Sequence, residues 1–118
     1  MNFFLIIFIG LICASTGQVL WKVGMNQIGQ IDTIDIGTIF GMLVNYYVLA
    51  GIIMYALSTI LWLIALSNKE LSYAYPFVSL TYVFVLFFSF FIFKESVTIT
   101  RVIGTLIIIF GLVFIVRG

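Results

Sequence analysis

The fold class this sequence predicts is an all-α membrane protein of four transmembrane helices, and three observations predict it. Of its 118 residues 64% are apolar and only 8% charged, too little charge to cover the surface of a water-soluble domain of this size. The mean hydropathy is +1.35. The five basic and four acidic side chains sit between or at the ends of long apolar runs, and those runs reach the roughly 20 residues a helix needs to cross a bilayer.

Composition also excludes functions. A net charge of +1 leaves nothing with which to neutralise a phosphate backbone, so nucleic acid is not a partner. Cys13 is the only cysteine and lies mid-segment, an apolar packing residue without a disulfide partner. There is no histidine, and the acids are spread over connectors, so no metal-site spacing exists. The sequence has no GxSxG, P-loop or CxxC motif. It therefore predicts no enzyme and no cofactor.

The first run, Phe3 to Trp21, ends at Lys22 and predicts a helix over about residues 3–22. It lacks a basic leader and exceeds the apolar core of a signal peptide, so it reads as a retained span. Ser15, Gln18 and Lys22 fall within roughly 60° on a helical wheel, and Gly10 and Gly17 permit close helix contacts. Lys22 has two readings, an end anchor whose ammonium snorkels to the surface or a cation at a cavity mouth.

Asn26 to Asp35 is a polar connector, with Asp35 placed to cap the next helical segment. The adjoining uncharged run, Ile36 to Leu66, would be roughly 46 Å long as a helix, too long for a ~30 Å hydrocarbon core. It resolves into an interfacial segment over about 37–45 and a span over about 46–66, with Tyr46 and Tyr47 in the interfacial aromatic belt. Gly51, Tyr55, Ser58, Thr59 and Trp62 share one face; Gly51 suits packing, Tyr55 and Trp62 the wall of a cavity.

The third span covers about 72–93. Its polar residues Ser72, Tyr75, Ser79, Tyr82 and Ser89 lie within an arc of roughly 100°, with Tyr73 and Thr81 elsewhere. Hydroxyls gain nothing from lipid, so this stripe should face helices or a cavity. Pro76 predicts a kink or a late helix start. The fourth span covers about 98–116, and its Gly104 and Gly111 stack on one face where another helix can approach, a candidate dimer interface. Four spans put both termini on one side with Lys69 and Arg117, against Lys22, Lys94 and Arg101 on the other. That near balance permits either orientation and an antiparallel pairing of two copies.

The stretches SYAYPFVSLTYVFV, KES and RVIGTLIIIFGLVFI, with GQVLWK in the first span and ALSTILWLIALS before the third, resemble the small four-helix members of the drug/metabolite transporter superfamily. The resemblance covers nearly the whole chain and implies that superfamily's helical bundle, acting as a dimer. One branch, the small multidrug resistance exporters, exchanges protons for cationic drugs through a first-helix glutamate. The position matching that glutamate is Ala14, and Pro76 stands near the third-helix tryptophan position. The other branch, subunits of the aminoarabinose-phosphoundecaprenol flippase, is closer through AYP-x-x-SL and GQ-x-x-x-K. It implies transport of a polyprenyl-phosphate-linked sugar, a glycolipid, across the bacterial inner membrane by a homodimer or a heterodimer with a paralogous subunit.

The expectation is a non-enzymatic flippase. Lys22 holds phosphate, with Ser15 on the same face; Gln18, Tyr75, Ser79 and Tyr82 contact the head group; Tyr55 and Trp62 wall the cavity. The lipid tail stays among membrane lipids. The rival readings are an exporter of small cationic or amphipathic compounds, which needs a titratable cavity group, and a structural or adaptor subunit, which needs no cavity.

Overall fold

Outside the third span, helices in this chain begin where a short polar side chain accepts the free amide hydrogens of a first turn. The computed structural model describes residues 2–118, and among them there are helices and turns but no strand. Helix α1, Phe3–Ile28, starts at Asn2, whose Oδ1 accepts from Phe4 N–H at 2.8 Å. It runs six residues beyond Lys22 and stops at Gly29, whose φ of 92° is open to glycine at little cost. A charged residue marks where the apolar run ends; the helix ends where the backbone can turn. Lys22 is thus a mid-helix residue.

Asp35 caps α2, Ile36–Leu43, through Oδ1 and Thr38 N–H at 2.7 Å. That backbone bond holds the Asp35 carboxyl below the usual carboxylate range. α2 buries none of its residues. Asn45 opens α3, Tyr46–Asn68, accepting from Tyr47 N–H and Val48 N–H, and it donates to Gln27 Oε1 at 3.3 Å. The same side chain starts α3 and ties it to the end of α1.

The third span, Leu71–Phe91, is not one regular helix. α4, Leu71–Ala74, passes into a 3₁₀ turn, Tyr75–Val78, before α5, Ser79–Phe91. Pro76 has no amide hydrogen to donate back along an α-helix, and the tighter turn accommodates it. α6, Ile99–Arg117, starts at Thr98, whose Oγ1 accepts from Arg101 N–H at 3.2 Å.

Among the described residues four helical stretches are long and apolar enough to cross a membrane: Phe3–Ile28, Tyr46–Asn68, Leu71–Phe91 and Ile99–Arg117. α1 is the central one, packed mainly on α3 and next on α5. Its contact with α3 runs along Gly10, Gly17 and Gly24, all buried. A methyl carbon at Gly17 would lie 3.0 Å from Gly51 O, so the two backbones nearly touch. Trp21 closes the seam, its indole N–H donating to Val48 O at 3.1 Å. At the opposite end of α1, Phe3, Ile6, Ile7 and Leu11 form the core with Ala65, Ala74, Phe77 and Leu112. Phe3 meets Phe77 edge to face, ring centres 5.6 Å apart. This end gathers all four spans, whereas the Trp21 end is a two-helix contact flanked by α5.

Candidate functional site

Where the bundle opens between those ends, α1, α3 and the broken third span enclose a cavity of about 290 Å³, close to the lower end of the range for small-molecule sites, roughly 300–1,000 Å³. Aliphatic residues of α1 make its floor, from Ile6 to Ala14. Gln18, Tyr55, Ser58, Thr59, Trp62, Tyr75 and Thr81 supply polar atoms, and among the described residues no charged one lines it. Tyr55 and Tyr75 are 39% and 62% exposed, so the cavity opens to the side through an aromatic wall. The Tyr75 ring stands edge-on to Trp62, centres 6.2 Å apart, and Tyr55 stacks on Trp21 at 5.1 Å.

The 3₁₀ turn decides which hydroxyls reach this space. Side chains three apart eclipse in such a turn, and the third span lines the cavity with Tyr75, Val78 and Thr81. On an unbroken α-helix Tyr75 and Thr81 would point about 120° apart; four residues at about 120° per step, instead of 100°, bring them within about 40°. The register of the expected stripe is therefore changed at Pro76. Ser79 and Tyr82 line neither this cavity nor its neighbour. Ser79 Oγ–H donates to Pro76 O at 2.7 Å, and Tyr82 is exposed on the outside of the span.

Gln18 borders a second space, a cleft of about 180 Å³ shared with Lys22 of α1 and with Val85 and Ser89 of α5. Phe93 and Glu95 from the turn after α5 complete it. Lys94 adopts φ 54°, a left-handed turn that folds the chain back, and Glu95 N–H then reaches Ser89 O at 3.0 Å. Lys22 and Glu95 are both exposed, face one cleft, and form no ion pair within 4.0 Å among the described residues. A neutral cavity and a charged cleft thus adjoin at one glutamine.

Of the expected site residues, Gln18, Tyr55, Trp62 and Tyr75 come together in the cavity, with Gln18 and Lys22 in the cleft. Ser15 is set apart. It is 1% exposed within the helix packing, its Oγ has no hydrogen-bond partner, and it lines neither space. A methyl carbon at Gly104 or Gly111 would meet nothing within 4 Å. Sequence reasoning did not assign Ser58, Thr59, Thr81 or Glu95 to the site. The proline was the available signal for Thr81, since it replaces a 3.6-residue period by one of three. For Glu95 the signal was topology, which puts the KES turn on the Lys22 side.

Most polar side chains of the cavity are free for a guest. Gln18, Ser58, Trp62, Tyr75 and Thr81 make no side-chain hydrogen bond among the described residues, while Thr59 Oγ1–H is taken by Tyr55 O at 3.0 Å. In a water-poor site such groups gain most from a ligand that carries matching hydroxyls.

Comparison with known proteins agrees in kind. Residues 1–117 match the EamA-like transporter family. The chain is 36% identical over 101 residues to the protein of Serratia proteamaculans named "Probable 4-amino-4-deoxy-L-arabinose-phosphoundecaprenol flippase subunit ArnF", covering 80% of this chain and 76% of that one. The protein of the same name from Proteus mirabilis is 30% identical over 104 residues, covering 82% and 78%. That from Photorhabdus laumondii is 38% identical over 72 residues, covering 59% and 57%. No solved structure matches the chain.

Proposed function

Because the chain belongs to the EamA-like transporter family, and its similar relatives are named as flippase subunits, we propose that it flips a polyprenyl-phosphate-linked sugar. It is a multi-pass protein of the bacterial inner membrane. In this reading no covalent bond is made or broken. The sugar enters the neutral cavity from the side, where Gln18, Tyr75 and Thr81 exchange hydrogen bonds with its hydroxyls and Trp62 and Tyr55 flank its ring. The phosphate rests in the cleft against the Lys22 ammonium, a charge-assisted contact. The polyprenyl tail remains in the bilayer, so the protein never encloses it.

The observation that carries this reading is the junction at Gln18. Among the described residues, one side of it offers free hydroxyl, amide and indole groups without charge, the other a cation not held in an ion pair. A sugar bonded directly to a phosphate has the same division. An exporter of cations would need an acid within the apolar cavity, and none lines it among the described residues.

A second four-helix subunit, identical or paralogous, docks on the Gly104–Gly111 face in this proposal. Support comes from the open space at both glycines and from the word subunit in the relatives' names.

Lys22→Ala tests the assignment. In proteoliposomes with a fluorescent short-chain polyprenyl-phosphate pentose, flipping should fall at least about tenfold, the equivalent of one charge-assisted bond. Helicity and insertion should not change, because Lys22 is exposed. Flipping at the wild-type rate would remove Lys22 from the site.

A further inference from the structure

Among the described residues two polar side chains are buried in the bundle, Ser15 and Thr105, and their hydroxyls are treated differently. Thr105 Oγ1–H donates to Arg101 O at 2.7 Å, one turn back on its own helix. Thr16, Thr59, Ser67 and Ser79 likewise bond to carbonyls three or four residues back. Ser15 Oγ is buried with no partner among the described residues. A hydroxyl withheld from both water and backbone disfavours the packed state and favours any state in which it gains a partner.

Ser15 lies at the partition between cavity and cleft. On a helix surface its neighbours are three and four residues away. Of these, Leu11 lines the cavity, Val19 lines the cleft, and Gln18 lines both. The helix over it is α5. Ser15 points about 160° away from Gly17, which faces α3. Along α1 it falls between two meeting points with α5, Phe8 against Phe84 and the cleft shared by Val19 and Val85. α5 buries none of its own residues, whereas Ala74 and Phe77, just before it, are part of the core. The turn at Pro76 thus joins an anchored segment to a lightly held one.

A phosphate-linked sugar that occupies both spaces at once must cross this partition. We propose that α5 lifts from α1 as the head group enters, and that Ser15 Oγ–H then donates to the oxygen joining sugar to phosphate. The inference rests on the reading that the sugar sits in the cavity and the phosphate at Lys22. Ser15 is then a substrate contact that the resting protein keeps covered, and its unpaired hydroxyl favours the opening the guest needs.

The test uses the full-length protein in proteoliposomes with two short-chain lipids. One is a polyprenyl-phosphate pentose and the other its phosphonate, in which a methylene replaces the linking oxygen. Size and charge are kept, and one acceptor is lost. Wild type should flip the oxygen-linked lipid about fivefold faster at limiting substrate, the equivalent of one hydrogen bond. Ser15→Ala should bring that ratio close to one by slowing the oxygen-linked lipid. In mixed micelles the same variant should resist unfolding better than wild type, its equilibrium shifted about fivefold toward the folded state, because no unpaired hydroxyl is buried. A merely structural serine would lower stability when replaced, or slow both lipids alike. A wild type without preference, a Ser15→Ala variant that keeps it, or one less stable than wild type overturns the inference while the Lys22 assignment stands. Lys22→Ala should slow both lipids with the ratio retained. Flipping of both lipids at the wild-type rate by Lys22→Ala would instead sink the phosphate reading, and this inference with it.

Discussion

On α1, Gly10, Gly17 and Gly24 recur every seven residues and all are buried against α3, whereas on α6 Gly104 and Gly111 share that spacing and meet nothing. Both sets lie on one face of a helix, since seven residues are close to two turns. What differs is the surface opposite. α3 answers the α1 stripe with Gly51, Asn45 and Val48, so backbone approaches backbone and an indole hydrogen bond closes the seam. α6 touches its own chain through Leu112 and the buried Thr105, while the glycines face outward. Lipid tails are as apolar as leucine, so a bare small-residue groove gains little from them compared with a fitted helix. One motif therefore serves the fold in α1 and is open to a subunit in α6.

The largest expected effect is at Gly51. A methyl carbon there would stand 2.5 Å from Trp21 Cδ1 and 2.8 Å from Gly17 O. Neither the half-buried indole, bonded to Val48 O, nor the backbone of α1 can move without opening the seam. Gly51→Ala should destabilise the bundle by about 1–3 kcal/mol, the range for overpacking a fitted interior. Equilibrium unfolding in mixed micelles measures it, and wild-type stability would show that the α1–α3 contact is looser than described. Gly24→Ala ranks next: its methyl would meet Asn45 Oδ1 at 2.7 Å and Val48 Cγ2 at 2.8 Å. Those side chains can shift at some loss to the α3 cap, so the expected cost is about 1 kcal/mol in the same assay.

The α6 pair should respond in the opposite sense. Gly104→Leu with Gly111→Leu should leave monomer unfolding within about 0.5 kcal/mol, as for substitutions that touch nothing in the fold. Association should weaken by about tenfold or more, because bulky residues hold helices apart at a small-residue contact. Energy transfer between labelled subunits in bilayers reads this directly. Undiminished transfer would move the proposed subunit contact to another face.

Legibility in the sequence divides along the same line. The four spans and their connectors were legible, because bilayer thickness and charge placement constrain them independently of packing. Asp35 as a cap and Pro76 as an interruption were also legible, since each acts on its own local backbone. The end of α1 was not, because membrane edge and helix stop are different physical events and Gly29 sets the second. The hydroxyl stripe was misjudged beyond Pro76 for a related reason. A wheel with a constant 100° per residue cannot carry a 3₁₀ turn, so it favoured Ser79 and Tyr82 over Thr81 for the cavity. Ser15 shared a face with Gln18 and Lys22, yet a wheel gives direction without depth, and Ser15 lies within the packing. Glycine spacing was equally visible on α1 and α6; which stripe is filled from within depends on a partner many residues away.

Gly10 gives the smallest effect and the finest test of the contrast. A methyl carbon there would sit 3.5 Å from Leu61 Cβ and 3.9 Å from Ser58 O, ordinary contact distances. The seam that is tight at Gly24 and Gly17 has opened by this point, and Gly10 also lines the cavity. Gly10→Ala should therefore change stability by no more than about 0.5 kcal/mol, since no neighbour must yield. Its added methyl instead narrows the space beside Trp62 and Ser58. Flipping of the pentose lipid should slow by a factor of about two to three with the fold unchanged, a modest loss typical of crowding without a clash. A drop in stability comparable to that of Gly51→Ala would mean that the seam stays tight along all of α1, leaving no widening at Gly10 to form the cavity floor.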